Sequence, residues 1–113
     1  MANKYFARKV THNGITFDSK AEYRRWCELT VMQAGKLISG LKVHPKYTLI
    51  KAFPYYGRTI RKVEYTPDFE YIENGRKIVE DVKSSATMTQ ASRLRMKLFM
   101  SVYPEVQLRI VEV

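Results

Sequence analysis

The sequence predicts an α/β domain in which one mixed β-sheet is flanked by helices, in the order helix, three strands, helix, strand, behind a short N-terminal arm or hairpin. Three observations carry this. Two stretches place apolar residues at helical spacing, the residues between them are rich in Val, Ile, Thr and Tyr, and Asn74-Gly75 is a strong signal for a two-residue antiparallel turn. At 113 residues the chain has room for one core, so residues 1–113 are expected to form a single domain.

The elements follow in chain order. His12-Asn13-Gly14 is a turn signal between residues 4–10 and 15–17, so residues 1–17 read as an arm or small hairpin. From Ser19 to about Ala34, the positions Tyr23, Trp26, Cys27, Thr30, Val31 and Ala34 recur with helical period, and Gly35 supplies a stop. Ser19-Lys20-Ala21-Glu22 fits a capping box in which the Glu reaches back to the cap N–H. Residues from about 41 to 51 and 58 to 73 read as two antiparallel strands separated by Pro54 and Gly57, and Asn74-Gly75 turns the chain into a strand over 76–83. From about Met88 to Val102 the period is helical again, with Ala91, Leu94, Leu98 and Val102 on one face; Pro104 ends it, and 106–113 is a closing strand.

Composition removes several classes of function. No apolar stretch approaches the about 18 residues a membrane helix needs, and the N-terminus does not resemble a secretory signal, so a soluble cytoplasmic protein is expected. One cysteine, Cys27, permits no internal disulfide, and with only His12 and His44 beside it no clustered Cys/His zinc site can form, so any metal is expected on oxygen. His12, His44 and Cys27 receive no functional role on these grounds.

Charge points to the partner. The net charge of +9 favours an anionic polymer. Residues 1–62 carry 13 basic and 3 acidic side chains, yet six of the eleven acids fall between Glu64 and Asp81, where a protein that only binds phosphates gains nothing from negative charge. In a hairpin closed by Asn74-Gly75, Glu73 faces Arg76, and continuing the register places Asp68 opposite Asp81 on one face. Like charges so placed need a counter-charge, which a divalent cation supplies, and alternation brings Lys83 to the same face. Glu80 points the other way, and Glu70 could add an oxygen through water. Two carboxylates and a lysine suit Mg²⁺, with Mn²⁺ as substitute, and phosphodiester hydrolysis. The alternative is a solvated salt network of Asp68 and Asp81 with Lys83, Arg61 or Arg76.

Pro67-Asp68 followed by Asp81-Val82-Lys83, behind a helix bearing an acid, resembles the PD-(D/E)xK signature of restriction-endonuclease-like nucleases, whose cores run helix, three strands, helix, strand. The runs Gly14-Ile15-Thr16-Phe17-Asp18-Ser19-Lys20-Ala21-Glu22 and Tyr65-Thr66-Pro67-Asp68-Phe69 resemble small phage-encoded, Holliday-junction-resolvase-like proteins of that superfamily. The resemblance implies a restriction-endonuclease-like core over about residues 15–113. It also implies metal ligation by Glu22, Asp68 and Asp81, catalysis by these with Lys83, and cleavage of branched DNA in a phage-infected or prophage-bearing host. Asp at the (D/E) position and Ser84-Ser85 after Lys83, where relatives often have Gly, depart from the pattern without removing a ligand.

Further DNA contacts are read from charge alone. Gln90, Arg93 and Lys97 form a polar stripe that can follow phosphates or face water, and Arg58, Arg61 and Lys62 alternate with aromatics in the preceding strands. Arg24 and Arg25 read as solvated, and Trp26 as core. Two cuts on opposed strands ask for a homodimer, with the arm, basic through Lys4, Arg8 and Lys9, packing its Tyr5, Phe6, Val10 and Ile15 on a partner; the other arrangement is a monomer whose arm folds back on its own sheet. A non-catalytic DNA-binding or assembly protein on the same fold is the competing function.

Overall fold

The computed structural model describes residues 9–113. Strands β1 (Val10–His12) and β2 (Ile15–Phe17) form a hairpin through Asn13-Gly14, followed by helix α1 (Lys20–Ala34). Six short strands come next: β3 (Ser39–Val43), β4 (Tyr47–Ile50), β5 (Phe53–Tyr55), β6 (Arg58–Ile60), β7 (Val63–Tyr65) and β8 (Phe69–Glu73). Strand β9 (Arg76–Lys83), helix α2 (Gln90–Val102) and strand β10 (Gln107–Glu112) complete the order. The main sheet runs β10-β9-β8-β3, with β10 parallel to β9 and the other pairs antiparallel, so the expected mixed α/β architecture is present. No helix among the described residues is long and apolar enough to cross a membrane.

The sheet is covered on both faces. Leu29 of α1 packs with Phe17, Ile38, Phe69, Tyr71 and Ile78 in one core; Met96 and Phe99 of α2 pack with Leu49, Tyr65, Val79 and Val106 in the other. Alternation along β9 sends Ile78 and Glu80 to the α1 side and Val79 and Asp81 to the α2 side. Each fully buried Leu or Phe contributes about 1.5–3 kcal/mol relative to exposure.

The two strands expected between Leu41 and Glu73 prove to be the arms of one long hairpin, each broken into three. β3 pairs with β8, β4 with β7 and β5 with β6, and the register slips between Ser39 and Lys42 and again between Thr48 and Ile50. Each slip leaves an unpaired residue that bends the ladder. Pro54 is not a break: it lies within exposed β5 opposite Thr59, where a missing N–H costs the ladder little, and the reversal is made by Tyr56-Gly57.

Helix α1 has the expected bounds, but its inward face is set by Glu22 and the fully buried Leu29, while Val31 stands in solvent. Helix α2 is also turned from expectation. Leu94 is 59% exposed and Val102 is exposed too, whereas Met96 and Phe99 are buried. Phe99 packs among Tyr47, Tyr65 and Tyr103, with ring centroids 5.0, 5.2 and 5.4 Å away, and this aromatic nest decides which side of the helix faces inward. The N-terminal hairpin lies on its own chain: the partly buried Val10 and Ile15 pack on the α1 core and His12 against Tyr23 and Trp26. Lys4, Tyr5, Phe6 and Arg8 of the arm lie outside the described residues.

Candidate metal centre

The Asn74-Gly75 turn fixes the register as expected, from Glu73 opposite Arg76 out to Phe69 opposite Glu80. Asp68 is the next residue outward. Its N–H donates to the Glu80 carbonyl at 2.9 Å, and its Oδ2 accepts the Val82 N–H at 2.6 Å, so its carboxylate is held over β9. Asp81 faces the same region, with Oδ2 accepting the Tyr65 hydroxyl at 2.6 Å and Oδ1 lying 3.7 Å from the Lys83 ammonium.

The third carboxylate comes from the start of α1. Ser19 Oγ accepts the Glu22 N–H at 3.1 Å, which seats the helix cap. Glu22 Oε2 in turn accepts the N–H of Asp18 at 3.0 Å, one residue before the donor that a capping box uses. That displacement leaves Oε1 free to meet His44 Nε2 at 2.5 Å. His44 follows β3 with a left-handed backbone, φ 53°, and its N–H donates to the Asp68 carbonyl at 2.9 Å. Asp18, Glu22, His44 and Asp68 consequently each offer a ligand atom within 4.8 Å of the others.

Charge is poorly compensated here. Asp68 is 9% exposed, and its carboxyl is pushed up to about 9, first by burial and then by the negative charges of Glu22 and Asp81. Burial also raises Glu22, outweighing the opposing pull of His44 and the Asp18 N–H. The Tyr65 phenol is raised well above its ordinary value by burial and by Asp81. Among the described residues no basic side chain pairs with Asp68. A buried carboxylate between two others must take up a proton or gain a cation. Carboxylate oxygens with one imidazole suit a hard or borderline divalent ion such as Mg²⁺ or Mn²⁺, so the residues present fit the group.

Over residues 2–113 the chain matches a family described as "Protein of unknown function (DUF1064)". It belongs to that family. No curated protein and no solved structure matches it.

In this DUF1064 chain, Glu22, Asp68, Asp81 and Lys83 come from α1, the approach to β8, and β9; Asp68 neighbours both Glu22 and Asp81, and Lys83 neighbours Asp81, but the ligand atoms that lie within 4.8 Å of one another belong to Asp18, Glu22, His44 and Asp68 and do not include Asp81. His44, given no role on sequence grounds, stands among these carboxylates through its contact with Glu22, which is made only by tertiary folding and leaves no trace in local sequence. The solvated salt network is corrected: Asp68 and Asp81 are buried, and of the three basic partners considered only Lys83 reaches them. Glu70 points elsewhere, meeting the Tyr47 hydroxyl, Lys42 at 3.6 Å and Lys77 at 3.9 Å. Arg25 is not solvated. Its guanidinium forks onto Glu80, with Nε to Oε1 at 2.7 Å and Nη2 to Oε2 at 2.8 Å, on the face away from Asp81.

Two further residues were not legible. A cleft of about 280 Å³ is lined by Tyr65, Asp81, Lys83, Ser92 and Arg95, together with Glu64 and Thr66. Ser92 and Arg95 are the α2 side chains that face the site, because the helix is turned by Met96 and Phe99. The stripe of Gln90, Arg93 and Lys97 lies in solvent; Arg93 lines a separate groove with Lys83, Ser84 and Ser85. Arg58, Arg61 and Lys62 are exposed along the distal hairpin, with Lys62 lying 3.4 Å from Glu64.

Proposed function

We propose that this chain is a Mg²⁺-dependent endodeoxyribonuclease built on a restriction-endonuclease-like core. The observation that carries the reading is Asp68, buried between Glu22 and Asp81 and without a basic partner among the described residues, with Lys83 beside Asp81. Such an acidic cluster in a chain of net charge +9 suits a protein that first attracts a phosphate backbone and then acts on it.

Glu22, Asp68 and Asp81 would hold the ion. When bound, Mg²⁺ supplies Lewis acidity to the phosphate oxygens and to a water. The chain's own groups do the rest. Tyr65 fixes one oxygen of Asp81 and so its orientation. Lys83, held near the other oxygen, places a cation where charge builds on the phosphorus oxygens, and it orients the attacking water. Arg95 and Ser92 offer donors to the same phosphate from across the cleft. His44 holds Glu22 and joins the ligand set. Branched or junction DNA in a phage-bearing bacterial cytoplasm is the substrate and setting that the sequence resemblance adds, with two chains assembling for opposed cuts.

The second reading is a non-catalytic DNA-binding protein on the same fold. It is favoured by the Glu22–His44 contact at 2.5 Å and the Asp81–Lys83 contact at 3.7 Å, which supply partners to two of the carboxylates without a metal. Incubating wild type and Asp81→Asn with plasmid, linear and four-way-junction DNA, with and without Mg²⁺, separates the two. Mg²⁺-dependent cleavage lost in the variant supports the nuclease. Equal binding by both proteins, with no cleavage by either, transfers the protein to the second reading.

A further inference from the structure

Three two-residue turns in this chain share one geometry. Asn13-Gly14 has φ values of 50° and 80°, Asn74-Gly75 has 52° and 76°, and Tyr56-Gly57 has 44° and 78°. Asn is a favoured residue for a left-handed first position, whereas a bulky side chain there is strained. The third turn therefore sacrifices stability that the other two keep, and strain held at one place points to a role for the side chain that causes it.

Tyr56 has no structural duty to explain its presence. It is 89% exposed at the tip of the β5–β6 hairpin, touching Tyr55 edge-on with ring centroids 4.7 Å apart, and Tyr55 is itself 57% exposed. The finger from residue 51 to 62 carries Lys51, Arg58, Arg61 and Lys62 and no acidic residue. All four cations are exposed. Aromatic faces ringed by cations are the arrangement that binds unpaired nucleotides, since phosphates meet the charges while bases stack on the rings. A closed duplex offers no free base face to them.

We infer that the β5–β6 tip is a base-stacking finger, with Tyr55 and Tyr56 as platforms for unpaired bases of single-stranded or branched DNA and the surrounding cations holding the flanking phosphates. The inference rests on the nuclease reading for its choice of DNA, and it narrows the substrate to DNA with unstacked bases. The finger and the carboxylate cluster belong to one continuous hairpin, because β5–β6 leads through β4–β7 into β3–β8 and Asp68.

The test uses the full chain in EDTA, so that binding is read without cleavage. Fluorescence anisotropy compares a labelled single strand, a duplex of equal length and a forked duplex, with 2-aminopurine at the fork as a stacking reporter. Wild type should favour the single strand and the fork and should change the 2-aminopurine signal. Tyr56→Asn should bind them about five- to 150-fold more weakly while binding duplex as before. It should also melt no lower than wild type, because Asn relieves the turn. Tyr56→Phe should bind like wild type. Equal wild-type affinity for all three DNAs, left unchanged by Tyr56→Asn, overturns the finger and leaves the nuclease reading intact. Failure to bind any DNA overturns both.

Discussion

Arg25→Met should destabilise the protein sharply. Arg25 reaches from α1 to β9 and clasps both oxygens of Glu80, which is 1% exposed and also accepts from the Tyr71 hydroxyl. Removing the guanidinium leaves Glu80 buried without a counter-charge, a loss of about 3–5 kcal/mol in comparable pairs. The Arg25 side chain is 23% exposed, so water can reach part of the gap and the lower end applies. At about 4 °C per kcal/mol for a domain of this size, about 3 kcal/mol lowers Tm by about 12 °C. Calorimetry on wild type, both single variants and Arg25→Met/Glu80→Gln checks this as a cycle, because neutralising Glu80 should recover more than half of the loss. The site should feel it too: Arg25 lies one turn beyond Glu22, and Glu80 adjoins Asp81, so Mn²⁺ should stabilise Arg25→Met less than wild type. A fall in Tm under about 3 °C, or additive effects around the cycle, would show that this pair does not anchor α1 to β9.

Other outcomes follow from the carboxylates. Folding raises the Asp68 carboxyl to about 9, so its contribution to metal-free stability is complete below the unfolded value of about 4 and is lost as pH rises through about 9. Urea midpoints in EDTA should therefore fall between pH 5 and pH 9, and Asp68→Asn should flatten that trend. Mn²⁺ should stabilise wild type more as pH rises, since the ion competes with protons for the same oxygens, and a pH-independent gain in Tm would contradict it. Lys83→Met should lower the single-turnover cleavage rate about 100-fold or more, with Mn²⁺ affinity by calorimetry unchanged; a normal rate refutes its role. Light scattering with junction DNA should find two chains per junction, and one chain per junction would mean a nicking enzyme.

What the sequence disclosed depended on how local each signal was. Asn74-Gly75 announced its turn and with it the register out to Phe69 opposite Glu80, the pair next to Asp68 and Asp81, because a two-residue loop dictates register. Ser19 and Gly35 bounded α1 for the same reason. The inward face of α2 was not legible, since Leu94, Leu98 and Val102 compete with Met96 and Phe99 at the same period and only the tyrosines on β4, β7 and the helix end decide between them. His44 and Arg25 were missed because their partners, Glu22 and Glu80, are far away in sequence. The breaks in the long hairpin come from single-residue slips that β propensity does not register.

Strand β9 hydrogen-bonds to β8 on one side and to β10 on the other, and it is roofed by a helix core on each face. The amide hydrogens of its buried centre, Ile78 to Asp81, should exchange with solvent mainly when the domain opens as a whole, whereas those of β5 and β6, paired only with each other and exposed, should exchange through local opening. Asp81 and Lys83 thus ride on a strand paired on both edges, and the aromatic tip rides on a two-stranded, exposed hairpin. The protein can let its finger yield to an irregular strand without letting its carboxylates move.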